Sequence, residues 1–465
     1  VAVIGLDSAP AQLVLQQWLG DLPNINGLIQ NGFAAELKST IPPITVPAWS
    51  CMLSGQDPGE LGLYGFRNRQ DHDYDSMAVA NAQAVKAPRV WDFLSQADRR
   101  SIVLGVPQTY PPSALKGLMV SGFLAPSKES AYTYPRWLKA KIGQWAGGEY
   151  WLDVEGFRTN GKGRLLRDIQ RMTQARFRLA SRMLEEDWDF FMMVEMGTDR
   201  IQHGFWRFMD PAHRLYEPGN PYEAVIPDYY RDLDSMIGAL TDKLPPNTLV
   251  LVVSDHGAKS MQGGVAINEW LMRQGLLVLK DPGAQGPLSA EMVDWARTKV
   301  WGEGGYYARL FFNIKDREPR GALDPSGVDE FRSRLITELE QMPGPDGRPL
   351  GNQVFVPQDI YRQTKGIPPD LIVHLGGLSW RSLAGVGQEG IFAFDNDTGP
   401  DDANHSMEGI LIASLKGGTL PCPPGGRILD RPLDILGVAP TILEALGMKA
   451  PAPMSAGPFD PWQDS

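Results

Sequence analysis

Apolar residues come in short, dense runs along this chain. "VAVIGL" (1–6), "SIVLGV" (101–106), "GLMVSGF" (117–123), "DFFMMVEM" (189–196), "TLVLVVS" (248–254), "DLIVHL" (370–375) and "GILIASL" (409–415) read as strands. Several lack any polar alternation, the pattern of strands covered on both faces of a parallel sheet. Between them, apolar positions recur every three or four residues. "GRLLRDIQRMTQARFRLASRMLEE" (163–186) and "YYRDLDSMIGALTDKL" (229–244) are therefore predicted helices. Strands alternating with helices predict a doubly wound α/β fold, a mostly parallel sheet with helices on both faces. In such sheets ligands bind beyond the carboxyl ends of the strands.

The pattern breaks between 266 and 369, where Gly and Pro punctuate short β-like pieces, as in "MPGPDGRPLGNQVF". We read an inserted cap there, within a core formed by 1–265 and 370–465. A second irregular stretch, 124–162, could help wall a site. No internal repeat stands out.

Composition narrows the functional classes. The 465 residues carry 44 Lys and Arg against 55 Asp and Glu, a net charge of −11. Without a basic run, a nucleic-acid polymer is not the expected partner. A phosphate substrate stays open, because bound cations can supply positive charge locally. Two cysteines, Cys51 and Cys422, make a disulfide framework unexpected and favour a reducing compartment. No run approaches the ~20 apolar residues of a membrane span. The cytoplasm is the expected location; a trimmed leader would also be compatible with a chain that opens directly in a strand at Val1.

Chemistry gathers at the ends of the runs. "VSDHG" (253–257) closes one with Asp255 and His256, and "GLDSA" places Asp7 just past another. "EMGTDRIQHGFW" sets Asp199 and His203 four apart, a spacing that puts both on one helix face. His405 precedes the strand-like run at 409–415. Three Asp and three His without thiolates suit Zn²⁺, with Mn²⁺ as the alternative. In "TIPPITVPAWSCMLSG", Pro47 suits a first helical turn, and Thr45 would lie at an N-terminus that favours anions. Thr45 is thus a candidate metal-activated nucleophile.

Each of these residues alone has an ordinary structural reading; together and in this order they do not. Asp7, Thr45, Asp199, His203, Asp255, His256 and His405 follow the order of the alkaline phosphatase superfamily. The chain most resembles its type I phosphodiesterase / nucleotide pyrophosphatase branch. "LYGFRNR" (63–69), "NIKDREPRGAL" (313–323) and "HSMEGILI" (405–412) resemble bacterial members described as predicted phosphohydrolases or phosphomutases. The resemblance implies two divalent metal ions, one on Asp199, His203 and His405, the other on Asp7, Asp255, His256 and the Thr45 hydroxyl. It also implies two in-line steps, attack by Thr45 on phosphorus and then hydrolysis of phospho-threonine. Hydrolysis of phosphodiester or nucleotide pyrophosphate bonds in a small-molecule ester is the leading expectation. A phosphomutase or phosphomonoesterase, or a non-catalytic binding protein, are the alternatives. A sulfatase is disfavoured, because its Cys/Ser-x-Pro-x-Arg motif is absent at Thr45–Trp49.

One departure bears on substrate. Related nucleotide pyrophosphatases carry an Asn about 21 positions after the nucleophile, where this chain has Phe66. Arg67, Asn68 and Arg69 follow and are candidate substrate contacts; an Arg would favour a terminal phosphate, Asn68 a diester. Outside the pattern, His374 is expected to be a satisfied core histidine, and His72 and His213 to face solvent. Cys51 is expected to pack. Trp49, Trp206 and Tyr64 are expected in the core, with an aromatic wall for a base or sugar as their other reading.

Overall fold

The structure is a computed structural model that describes residues 1–423, 426–452 and 454–460. The chain forms two compact units, one of residues 1–61, 80–258 and 405–465, the other of 62–79 and 259–404.

The larger unit is built on a nine-stranded sheet. Its strands are β1 (Ala2–Leu6), β2 (Gly32–Lys38), β3 (Ser101–Leu104), β4 (Gly117–Val120), β5 (Thr133–Tyr134), β6 (Phe190–Glu195), β7 (Leu249–Val253), β8 (Glu408–Leu415) and β9 (Leu433–Asp434). They lie in the order β9-β2-β8-β7-β1-β6-β3-β4-β5. Neighbours pair in parallel except at β8, which runs against both β2 and β7, and at the edge strand β5. Every residue of β1 and β6 is buried, which explains their unbroken apolarity. The doubly wound, mostly parallel α/β architecture is as the patterning predicts. β2 escaped it, because "GFAAELK" has too few large apolar side chains to stand out.

Helix α1 (Thr45–Ser54) is buried along its whole length, so it is apolar nearly all round. It stops at Gly55, whose φ of 65° is the left-handed conformation favoured just past a helix end. Helix α2 (Lys162–Met183) buries Leu165, Ile169, Met172 and Leu179 along one stripe. Helices α3 (Gly197–Met209) and α4 (Val225–Asp242) follow, and α3 leaves β6 after a single intervening residue. No helix among the described residues is long and apolar enough to cross a membrane.

In the smaller unit, Val300–Glu303, Ala308–Phe312, Leu371–His374 and Gln353–Phe355 form an antiparallel sheet in that order. Its core joins Trp301, Phe311, Phe312 and Val373 to Phe331, Leu335 and Leu339 of the helix Val328–Glu340. A three-stranded sheet pairs Gly263–Ala266 with Trp380–Leu383 and Phe392–Ala393. The run "DLIVHL" was expected as a parallel core strand bracketing a 266–369 insertion. It belongs instead to the smaller unit, where both of its faces are covered. A continuously apolar run reports burial and does not report which sheet buries it.

Candidate metal centre

The larger unit brings Asp7, Thr45, Asp199, His203, Asp255, His256 and His405 to one edge of its sheet. Strand direction explains why. Parallel strands β1 and β7 deliver Asp7 and then Asp255 and His256 just past their carboxyl ends. β6 ends at Glu195 at the same edge, and α3 then carries Asp199 and His203. β8 is reversed, with Leu411 opposite Val253, so residues preceding it reach the edge that residues following β7 reach. That reversal lets His405 join the others. β2 ends beside β8, and the chain then turns into α1 at Thr45.

The seven side chains converge closely. Asp199 Oδ1 lies 3.2 Å from His203 Nε2 and 3.9 Å from His405 Nε2. His256 Nε2 is 3.2 Å from Asp255 Oδ2, 3.8 Å from Asp7 Oδ1 and 3.5 Å from Thr45 Oγ1. The His256 and His405 rings stack at 3.9 Å. Two buried sets have ligand atoms mutually within 4.8 Å, Asp199 with His203 and His405, and Asp7 with Asp199 and His256. Asp199 thus belongs to both sets, and Asp255 stands against His256 beside the second.

Surrounding groups fix these ligands. His256 Nδ1 is 3.0 Å from the Gly257 carbonyl, and His405 Nδ1 is 2.8 Å from that of Pro43. A carbonyl only accepts, so each Nδ1 carries the proton and each Nε2 turns a lone pair inward. Trp49 Nε1 donates to Asp7 Oδ2 at 2.7 Å, and the Ser8 N–H donates to Asp255 Oδ1 at 3.2 Å. Ser8 holds a φ of 64°, rare for a residue with a side chain, and so aims that N–H. The Ser39 hydroxyl donates to the Asp255 carbonyl at 2.6 Å.

The electrostatics call for a cation. Asp7 Oδ1 and Asp255 Oδ2 are buried and accept no hydrogen bond among the described residues. Burial, and next the Asp199 charge, push the Asp7 carboxyl well above its usual range. Burial and then Asp7 do the same to Asp255. Burial would raise Asp199 too, but His203 and Arg200 overcome it and hold that carboxyl low. Burial lowers His256 to about 4, and burial, with help from His256 and His203, holds His405 well below its usual value. Crowded carboxylates, two of them with one oxygen that has no donor, beside imidazoles kept neutral, form an N/O donor set that fits a divalent ion.

The remaining sequence candidates have partners of their own. In the smaller unit, Asn68 accepts the Tyr64 N–H at 2.7 Å and donates to the Gly65 carbonyl at 3.0 Å, stapling a turn. Arg69 is buried against Glu318 at 3.3 Å, its guanidinium over the Trp301 and Phe311 rings. Arg67 is exposed. His72 is half-exposed, with Nδ1 3.4 Å from Glu318. His213 was expected in solvent but is buried, its Nδ1 accepting the Leu215 N–H at 3.1 Å. Cys51 packs inside α1, and Trp206 and Tyr64 are buried. Sequence reasoning missed Arg200, which donates to Asp199; its signal was a cation next to a ligand carboxylate.

Comparison with known proteins bears on the fold and the family. Two solved structures share the fold. One is murine ectonucleotide pyrophosphatase / phosphodiesterase 5, an inactive threonine-to-alanine variant in complex with AMP. It is 13% identical at a TM-score of 0.55, covering 97% of this chain and 95% of its own. The human protein of the same name is 14% identical at a TM-score of 0.53, with the same coverage. No curated protein matches the chain significantly. The family model for type I phosphodiesterase / nucleotide pyrophosphatase matches residues 1–404, and the chain belongs to that family of hydrolases.

Proposed function

We propose that the chain hydrolyses phosphodiester or nucleotide pyrophosphate bonds through a phospho-threonine at Thr45, with two divalent ions held by the buried Asp and His residues. The observation that carries this reading is a pair of buried ligand sets joined through Asp199, the second bringing His256 to 3.5 Å from a hydroxyl at a helix N-terminus. Asp199, His203 and His405 would hold one ion; Asp7, Asp255, His256 and the Thr45 hydroxyl would hold the other. Bound there, Zn²⁺ or Mn²⁺ would lower the hydroxyl's pKa and neutralise charge on the phosphoryl oxygens.

The chain's own groups do the rest. Thr45 is buried at the start of α1, where the unpaired N–H groups of the first turn favour a developing anion. Its Oγ1 attacks phosphorus, and the bond to the leaving alcohol or nucleotide oxygen breaks in line. Water then attacks the same phosphorus from the vacated side, the bond from phosphorus to Oγ1 breaks, a proton from that water restores the Thr45 hydroxyl, and the phosphate product leaves. Trp49 and the Ser8 N–H hold Asp7 and Asp255 in place throughout, and Gly257 and Pro43 hold the two imidazoles. The murine neighbour, with a threonine replaced and AMP bound, supports a nucleotide as the ester to try first.

The test is metal analysis of purified protein with turnover of bis(p-nitrophenyl) phosphate and p-nitrophenyl phosphate side by side. We expect two ions per chain and faster diester turnover. Thr45→Ala should lower diester turnover about 10³-fold or more with the metals still bound. Full turnover by that variant would remove Thr45 as nucleophile.

A further inference from the structure

Arg200 sits next to Asp199 on α3, and neighbouring residues on a helix do not face one another. Its guanidinium nevertheless donates from Nη1 to Asp199 Oδ2, because other groups hold it there. Asp153, from the irregular stretch after β5, takes both remaining arms of the fork, Nε at 2.9 Å and Nη2 at 2.7 Å. The rings of Phe157 and Phe123 flank the guanidinium, their centroids 4.4 and 5.0 Å from Cζ. Arg200 is buried, while Asp153 keeps about a quarter of its side chain in solvent.

The consequence falls on Asp199. A free carboxylate can offer a cation one oxygen or two, and the choice sets both bond length and the charge shared. Here Oδ2 accepts from Arg200, and Oδ1 is the oxygen turned toward His203 and His405. We propose that Arg200, anchored by Asp153, is a positioning residue that keeps Asp199 a one-oxygen ligand facing His203 and His405, and so sets the affinity of that ion site. The role rests on the two-ion reading above. The fork geometry matters as well as the charge, since a lysine has one nitrogen and cannot reproduce a planar contact made through Nε, Nη1 and Nη2.

Calorimetric titration of the metal-depleted full chain with Zn²⁺ tests this, comparing wild type with Arg200→Met, Arg200→Lys and Asp153→Asn. His203→Ala identifies which of two binding phases belongs to the Asp199–His203–His405 set. We expect that phase to weaken about 10- to 100-fold in all three variants, as when a ligand's supporting partner is lost. The other phase should weaken less, because Asp7, Asp255 and His256 also hold that ion beside Asp199, and Arg200→Lys should not restore the wild-type value. Asp153→Asn, the mildest change, keeps the experiment informative should Arg200→Met fold poorly. Two unchanged phases in Asp153→Asn and Arg200→Lys would overturn the positioning role and leave the two-ion reading intact. Equal weakening of both phases would reduce Arg200 to a packing residue, and full recovery with lysine would reduce it to a charge. A wild-type protein that takes up no ion would overturn the two-ion reading and this role with it.

Discussion

At the scale of the residue, the two best-supported carboxylates divide their oxygens in the same way. Asp7 gives Oδ2 to the Trp49 indole and turns Oδ1 toward His256; Asp199 gives Oδ2 to Arg200 and turns Oδ1 toward two imidazoles. One oxygen is locked by a donor and the other is left for a cation, so the cluster is oriented before any ion arrives. Trp49→Phe keeps most of the ring volume and removes the donor. We expect it to cost about 1–3 kcal/mol of stability, because a buried carboxylate oxygen loses its partner. Metal affinity of the Asp7 set should fall about 10- to 100-fold. Urea unfolding and metal titration read the two effects, and unchanged affinity would mean that Asp7 holds its direction without the indole. The ligands themselves were legible as Asp and His at the ends of apolar runs. Trp49 and Arg200 were not given these roles, since sequence spacing indicates a helix face and does not indicate the atom a side chain reaches.

At the scale of the element, close packing of α1 on the sheet places the nucleophile. β1 has glycine where α1 crosses it. A Cβ on Gly5 would lie 2.5 Å from Trp49 Cη2 and 2.8 Å from Val194 Cγ2. Gly5→Ala should therefore push α1 outward, carrying Thr45 and Trp49 away from Asp7 together. We expect a loss of about 1–3 kcal/mol from overpacking. Turnover should fall further than the unfolded fraction explains, because a small misplacement of a reacting group costs about 10²-fold. Thermal melting beside diester turnover checks this, and an unshifted melt with full turnover would show that the helix can yield. Most strands of the nine-stranded sheet were readable from their apolar runs, and the start of α1 from Pro47. The antiparallel course of β8 was not readable, yet it brings His405 to the site. Strand direction depends on connections made far away in the chain.

At the scale of the whole molecule, the chain interrupts one compact unit twice to build another. Sequence indicated an insertion at 266–369, from its glycines and prolines. The observed unit spans 62–79 and 259–404, because 371–374 and 380–383 pair inside it. Strand partners, unlike strand positions, leave little trace in a single sequence. His374 shows the same gap between position and environment. Its burial was expected, and a hydrogen-bond partner with it. The ring is buried against Phe355 at 4.8 Å, and neither nitrogen has a hydrogen-bond partner among the described residues. Burial lowers its pKa to about 4, from 6.5 for an ordinary imidazole. The unfolded chain therefore takes up this proton first as pH falls. The smaller unit keeps its full stability above about pH 6.5 and loses part of it progressively between pH 6.5 and 4. Between pH 7.5 and 4.5 the loss from this one group is about 2–3 kcal/mol. His374→Leu removes the titrating ring and keeps an apolar side chain. Urea unfolding of both proteins at the two pH values isolates the histidine, since every other titrating group, metal ligands included, is common to them. We expect wild type to lose about 2–3 kcal/mol more than the variant on acidification; equal losses would mean that the imidazole is protonated as readily folded as unfolded.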